Sequence, residues 1–253
     1  MNLKFVKKVL LVMMSAFMLV ASVPVSAMAM DESLSSCYDE ESLNEKLYEY
    51  FNYVDSLGKQ RILIVGEGRA NSKTYKDDSL YFFVDRNPKV KPDYCCDVEN
   101  MFDLCFLGEN KWDIVVLENL PINIYLNGCG INNVFRLLRK GGCITFILSL
   151  DFIETYYYSE CRLYDEGWDE GFRMGLWRVS DAYMAFKMFI EDRKKTGDFL
   201  ARAFNFDTES YNSTEYIAEL IPYSDKESYD VYPKIPNKPA MYKNEFIVQI
   251  KKL

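Results

Sequence analysis

Gly66-Glu67-Gly68 directly follows the apolar run Ile62-Leu63-Ile64-Val65, and Asp85, Asp97 and Glu118 close three later runs. Glycines at such a place let a backbone turn approach a ligand closely and present its N–H groups. A carboxylate ending the next strand, as Asp85 does, can accept hydrogen bonds from a ribose diol. Asp97 ends the third run, near where an adenine amino group would lie. A lone Gly-x-Gly is a weak signal, and Asp85 or Asp97 alone reads most simply as the start of a polar loop. Their ordered series points instead to a nucleotide-like ligand.

The elements that must carry these residues are legible as apolar runs. Arg61-Ile62-Leu63-Ile64-Val65, Leu80 to Val84, Tyr94-Cys95-Cys96, Asp113 to Leu117 and Cys143 to Leu148 read as buried strands of a parallel sheet. Leu43, Leu47, Phe51 and Val54 recur at helical spacing before Gly58, which predicts an amphipathic helix from Ser42. A second helical stretch, Asn132 to Arg139, is closed by Gly141-Gly142, and a third covers Ala182 to Ile190. Asn244 to Ile250 is a last strand, after a Pro-rich loop from Tyr223 to Pro239. The fold class is therefore α/β, a Rossmann-like open sheet, mostly parallel with an antiparallel C-terminal strand and helices on both faces. In such sheets ligands bind outside the carboxyl ends of the strands.

Composition excludes several chemistries. The 253 residues include no His, so no Ser-His-Asp triad, Cys-His dyad or His-ligated metal can be built, and no metal is expected. A hydrophobic share of 49% with 15% aromatics excludes a disordered chain. A net charge of −8 argues against nucleic acid or an anionic membrane as the main partner.

Residues 1–29 have the grammar of a signal peptide: Lys4, Lys7 and Lys8, an apolar run from Val9 to Val20, and Ala27-Met28-Ala29 before Met30. The expectation is an exported chain, periplasmic or secreted, with no stable membrane insertion after cleavage. Losing those three lysines takes the net charge from −8 to −11. Residues 30–253 then form one α/β domain, with 61–150 as its nucleotide-binding half, 151–240 as a variable helical and loop region, and 241–253 as the closing strand. Cys37, Cys95, Cys96, Cys105, Cys129, Cys143 and Cys161 contain no CxxC pair and lack the spacing of a stapled mini-domain. Asp165-Glu166-Gly167-Trp168 and Asp169-Glu170-Gly171-Phe172 are a local duplication that reads as turns, since it fails the EF-hand template. The aromatic segment Thr155-Tyr156-Tyr157-Tyr158, with Trp168, Phe172 and Trp177, reads as packing of a capping helix in preference to a substrate lid.

From Arg61 to Leu150 the chain resembles class I S-adenosylmethionine-dependent methyltransferases. The resemblance is carried by Ile62-Leu63-Ile64-Val65-Gly66-Glu67-Gly68, Phe83-Val84-Asp85, Pro92 to Val98, Trp112 to Leu120 and Leu137-Leu138-Arg139-Lys140-Gly141-Gly142. It looks most like the short-glycine-loop subgroup, whose Leu-Glu-His-Leu element would here be Leu117-Glu118-Asn119-Leu120. The resemblance implies S-adenosylmethionine as methyl donor and a small-molecule or protein acceptor. Gly66, Glu67 and Gly68 would hold the methionine moiety, Asp85 with Arg86 the ribose, and Asp97 with Val98 the adenine. Glu118 and Asn119 would lie near the transferred methyl. The final strand would be the antiparallel edge strand that closes such sheets.

Two further residues depart from that family pattern. Ile64 stands where an acid usually supports the methionine ammonium, and Glu67 is a candidate substitute. Ala70 stands at the third glycine, and Arg69 to Ser79 lacks apolar periodicity, so the helix after the motif is expected to be short or absent. A nicotinamide enzyme fits less well, because Asn71 stands where its third glycine is required. The alternative from another class is a secreted binding or effector module that keeps the scaffold without methylating. With no His, any base would be a carboxylate or a Tyr.

Overall fold

The structure, a computed structural model, describes residues 40–70, 75, 77–126, 129–165, 180–187, 216–222 and 245–253, without the side chains of 122, 123, 129, 159–165 and 222. All of these belong to one unit, Tyr38–Leu253. The signal-peptide segment, the acidic duplication, Trp168, Phe172, Trp177 and the Pro-rich loop lie outside the described residues.

Seven strands make one sheet: β1 Ile62–Val65, β2 Tyr81–Asp85, β3 Tyr94–Cys95, β4 Trp112–Leu117, β5 Leu138–Ser149, β6 Tyr216–Pro222 and β7 Glu245–Lys252. Their order is β3-β2-β1-β4-β5-β7-β6. Strands β1 to β5 pair in parallel, and β7 runs antiparallel between β5 and β6. This is the Rossmann-like open sheet that the apolar runs predict. The order reverses between β1 and β4, so the crevice of such a sheet falls at their carboxyl ends.

Helices flank the sheet: α1 Glu40–Ser56, α2 Met101–Cys105, α3 Ile122–Leu126, α4 Cys129–Leu137 and α5 Leu150–Asp165, with a further helical stretch at 180–187. Helix α1 buries Leu43, Leu47, Tyr50 and Val54, a stripe at 3.6-residue spacing, and ends ahead of Gly58 at φ +62°. Tyr50 anchors it: its hydroxyl accepts from Ile62 N–H at 2.8 Å and lies 3.0 Å from the carbonyls of Ile62 and Leu80. Its ring stacks on Trp112 at 5.7 Å, and the buried indole donates to Leu107 O at 3.0 Å. The first residues of β1, β2 and β4 are thereby clamped at one end, which leaves their carboxyl ends to build the site.

Two boundaries differ from the sequence reading. Helix α4 stops at Leu137, and β5 begins before Gly141-Gly142, which lie inside the strand at an irregularity in its register with β4. Gly141 has φ +81°, and a Cβ on Gly142 would press on the carbonyl oxygen of Asp113. Asp113 is itself buried, accepts from Arg61 N–H at 2.8 Å and pairs with Arg139, so it holds β4 and does no site chemistry. The second difference concerns the closing strand. β7 is antiparallel as expected but is not the edge; β6 covers it.

Candidate functional site

Each carboxyl end in the centre of the sheet is fixed by backbone bonds. Gly66 N–H donates to Val84 O and Glu118 N–H donates to Val65 O, both at 2.8 Å. Gly66 turns with φ +88°, a conformation that favours glycine, and a Cβ there would collide with Glu118 O and the Leu120 side chain. A Cβ on Gly68 would collide with Val90 O, and Arg69 N–H donates to Lys91 O at 3.2 Å. The Arg69 guanidinium also pairs with Asp93, at 2.6 and 2.9 Å. The side on which either glycine would carry a Cβ is therefore taken by the chain itself.

Asp85 ends β2 and Asp97 follows β3. Asp85 Oδ1 accepts from Asn87 N–H at 2.7 Å and Asp97 Oδ1 from Glu99 N–H at 3.0 Å, each an Asx turn that fixes the carboxylate on its own loop. Asp85 Oδ2 has no protein donor among the described residues, and Asp97 Oδ2 lies 3.9 Å from Arg86 Nη1. Asn119 follows β4 with φ +50°, which Asn tolerates better than most residues.

These groups line one cleft of about 440 Å3, part of it open to solvent. Its polar side is Asp85, Arg86, Asp97 and Asn119 with the Gly66 backbone, and its apolar side includes Val98, Leu120, Pro121 and Ile124. Of the nine residues the sequence singles out, six meet here: Gly66, Asp85, Arg86, Asp97, Val98 and Asn119. Glu67, Gly68 and Glu118 do not line it.

Glu67 and Glu118 are instead buried, at 4% and 6% exposure, around Tyr75. The Tyr75 hydroxyl lies 3.4 Å from Glu118 Oε1, and burial, with the nearby charges of Glu118 and Glu67, pushes its phenol far above the usual range. Ile64 is wholly buried in the same quarter, in an apolar cluster with Tyr75, Tyr81, Phe83, Val116 and Ile247.

The chemistry of the lining suits an adenosine. A carboxylate with an open oxygen matches a vicinal diol, a second carboxylate matches an exocyclic amine, and apolar side walls match a flat ring. Toward the glycine turn the match stops, since residue 64 is apolar and Val90 covers Gly68. Sequence reasoning missed Val65, Cys96, Leu120, Pro121 and Ile124 as lining residues. Cys96 was signalled by its place before Asp97; Ile124 belongs to α3, a five-residue helix too short for periodicity to register.

Tyr156 and Tyr157 of α5 pack partly buried on the core, and Tyr157 stacks on Tyr183 at 5.2 Å with rings 9° apart. That is the capping-helix packing expected of the segment, although Tyr158 stays 59% exposed. Among the described residues no cluster of three or more Cys, Asp or Glu could hold a metal, and no helix is long and apolar enough to cross a membrane.

No family model and no curated protein matches the chain. Among solved structures it is similar to the 30S ribosomal A1408 methyltransferase from an uncultured bacterium, at 14% identity over 85% of this chain and 95% of that one, with a TM-score of 0.41. It is similar to the aminoglycoside resistance methyltransferase NpmB1, at 12% identity over 85% and 94%, with a TM-score of 0.44. It is similar also to the plantazolicin methyltransferase BpumL in complex with S-adenosylhomocysteine, at 14% identity over 89% and 92%, with a TM-score of 0.37. The class of fold stands on this chain's own strand order.

Proposed function

We propose that the chain binds S-adenosylmethionine in this cleft and transfers its methyl group to a small-molecule or protein acceptor. The observation that carries the reading is the convergence of Asp85 and Asp97 on one cleft beside the Gly66 turn, in the chain order of the motifs. Asp85 would hold the ribose hydroxyls through Oδ2, Asp97 the adenine amino group, and Val98, Leu120 and Ile124 the purine faces. Arg86 would stand at the rim and Asn119 on the side toward the acceptor. The donor supplies a sulfonium-activated methyl; what the chain must add is in-line positioning and exclusion of water. We further propose that residues 1–29 are a cleaved signal peptide and that the mature chain is exported.

Calorimetry of the purified chain with S-adenosylmethionine and S-adenosylhomocysteine tests the first reading. Binding that Asp85→Ala weakens supports it, and absence of binding sinks it. One observation favours the second reading, an exported binding module without activity: Ile64 is sealed in an apolar cluster where the methyltransferase resemblance implies an acid. That reading expects no donor binding. The mass of the protein recovered outside the cell tests export, with an N-terminus at Met30 as the expected result.

A further inference from the structure

The carboxyl end of β3 carries two adjacent cysteines, both present as thiols. Cys96 is buried and lines the cleft; Cys95 is half-buried, its Sγ 3.4 Å from Arg86 O. The peptide between them is tied to the backbone of both cleft acids. Cys96 N–H donates to Asp85 O at 3.2 Å, Cys95 pairs with Asp85 in the sheet register, and Asp97 follows directly.

We propose that Cys95 and Cys96 form a thiol–disulfide exchange site, oxidised by a small disulfide of the glutathione class, and that oxidation deforms the adenosine cleft. The inference rests on the donor reading for its ligand but not for its chemistry. The Cys95 thiolate attacks one sulfur of the small disulfide and releases one thiol. Cys96, once the 95–96 backbone rotates and exposes it, loses its proton, attacks the Cys95 sulfur as thiolate and releases the second. Two protein thiols are oxidised, one disulfide is reduced to two thiols, and the two protons leave on those thiols.

Geometry makes the product both strained and disruptive. Adjacent Cα atoms stand about 3.8 Å apart, whereas disulfides prefer roughly 4.4–6.8 Å. Neighbouring side chains on a strand point to opposite faces. Bringing the two sulfurs together therefore rotates the 95–96 backbone, which breaks the Cys96 N–H bond to Asp85 and displaces Asp97. Strained disulfides are readily reduced again, as a reversible site requires. Burial pushes the Cys96 thiol well above its usual range, so the more accessible Cys95 is the entry point. By linkage, a ligand in the cleft opposes the oxidation.

The full chain is equilibrated in glutathione and glutathione disulfide mixtures. Mass spectrometry maps the disulfides, calorimetry reads S-adenosylhomocysteine affinity, and hydrogen exchange follows the 94–99 segment. The expected result is a Cys95–Cys96 disulfide, an affinity loss of at least tenfold, faster exchange at 94–99, and recovery of both on reduction with dithiothreitol. Cys95→Ser should keep its affinity and its exchange rate in oxidant, and Cys105→Ser, which changes an exposed thiol, should respond as the native chain does. No Cys95–Cys96 disulfide at any ratio overturns the inference. So does a disulfide that leaves affinity and exchange unchanged. If the reduced chain binds no S-adenosylhomocysteine, the donor reading fails, and exchange at 94–99 alone decides for or against the deformation.

Discussion

The two flanks of β1 are built from similar residue types and use them in opposite ways. On the β2–β3 flank, Asp85 and Asp97 each have one oxygen in a local turn and stand on a cleft. On the glycine-turn flank, Glu67 and Glu118 are buried around Tyr75, and neighbouring chain occupies the place of a Cβ at both glycines. An acid at a strand end can thus be a ligand group or a packing group. What separates them is the partner each acid finds: the N–H of Asn87 or Glu99 in a local turn, or the surroundings of the buried Tyr75. One flank leaves its acids on a cleft and the other buries them in the chain.

The sharpest way to break this contrast is at the turn. Gly66→Ala should cost about 3 kcal/mol or more of stability, because a left-handed φ and an overpacked Cβ each contribute roughly 1–3 kcal/mol. A lowered denaturant midpoint checks it. A full-stability variant would mean that Glu118 O and the Leu120 side chain give way to the added Cβ. On the other flank, Asp85→Ala should reduce S-adenosylhomocysteine affinity by about 10- to 100-fold, the value of one or two hydrogen bonds to a charged group. Its stability should move by less than about 1 kcal/mol. Calorimetry and a thermal melt read the two quantities separately.

Alkali should act on both flanks, since burial raises Tyr75 on the packed one and Cys96 on the cleft. Tyr75 titrates far above an ordinary phenol, so above pH about 10 the unfolded chain loses a proton that the folded chain keeps. Its contribution is complete below that pH and is lost as pH rises. Cys143, raised from 9.0 to about 11 by burial, adds a loss that sets in from pH 9. The denaturant midpoint should therefore fall from pH 9 upward, and Tyr75→Phe should make the decline shallower. An equal slope in that variant would show that the Tyr75 phenol is not held by burial.

How far these flanks can be read from sequence follows from what each depends on. The five parallel strands and α1 are legible because continuous apolar runs and a 3.6-residue stripe are local signals. So are Asp85 and Asp97, which end those runs. β6 is not legible, because Glu219 splits its apolar residues into short pieces and Pro222 ends it; its pairing with β7 is what makes Tyr216–Pro222 a strand. The start of β5 is hidden for a related reason. Gly141-Gly142 signals a helix end, yet Leu138 already pairs with Trp112. The burial of Glu67 and Glu118 depends on Tyr75, distant in sequence from Glu118, and no local pattern shows it.

The smallest effect tests whether the open flank extends to Arg86. Its guanidinium is 66% exposed and lies 3.9 Å from Asp97, which is 40% exposed. Such a pair contributes about 0–1 kcal/mol and is screened by salt. Arg86→Gln should therefore leave stability within about 0.5 kcal/mol. If Asp97 receives an adenine amino group, removing the competing cation should raise S-adenosylhomocysteine affinity by a few-fold at low salt. The native chain and the variant should converge as salt is added. A salt-independent loss of tenfold or more would instead make Arg86 a direct ligand contact, and the open flank would then end at the rim rather than at Asp97.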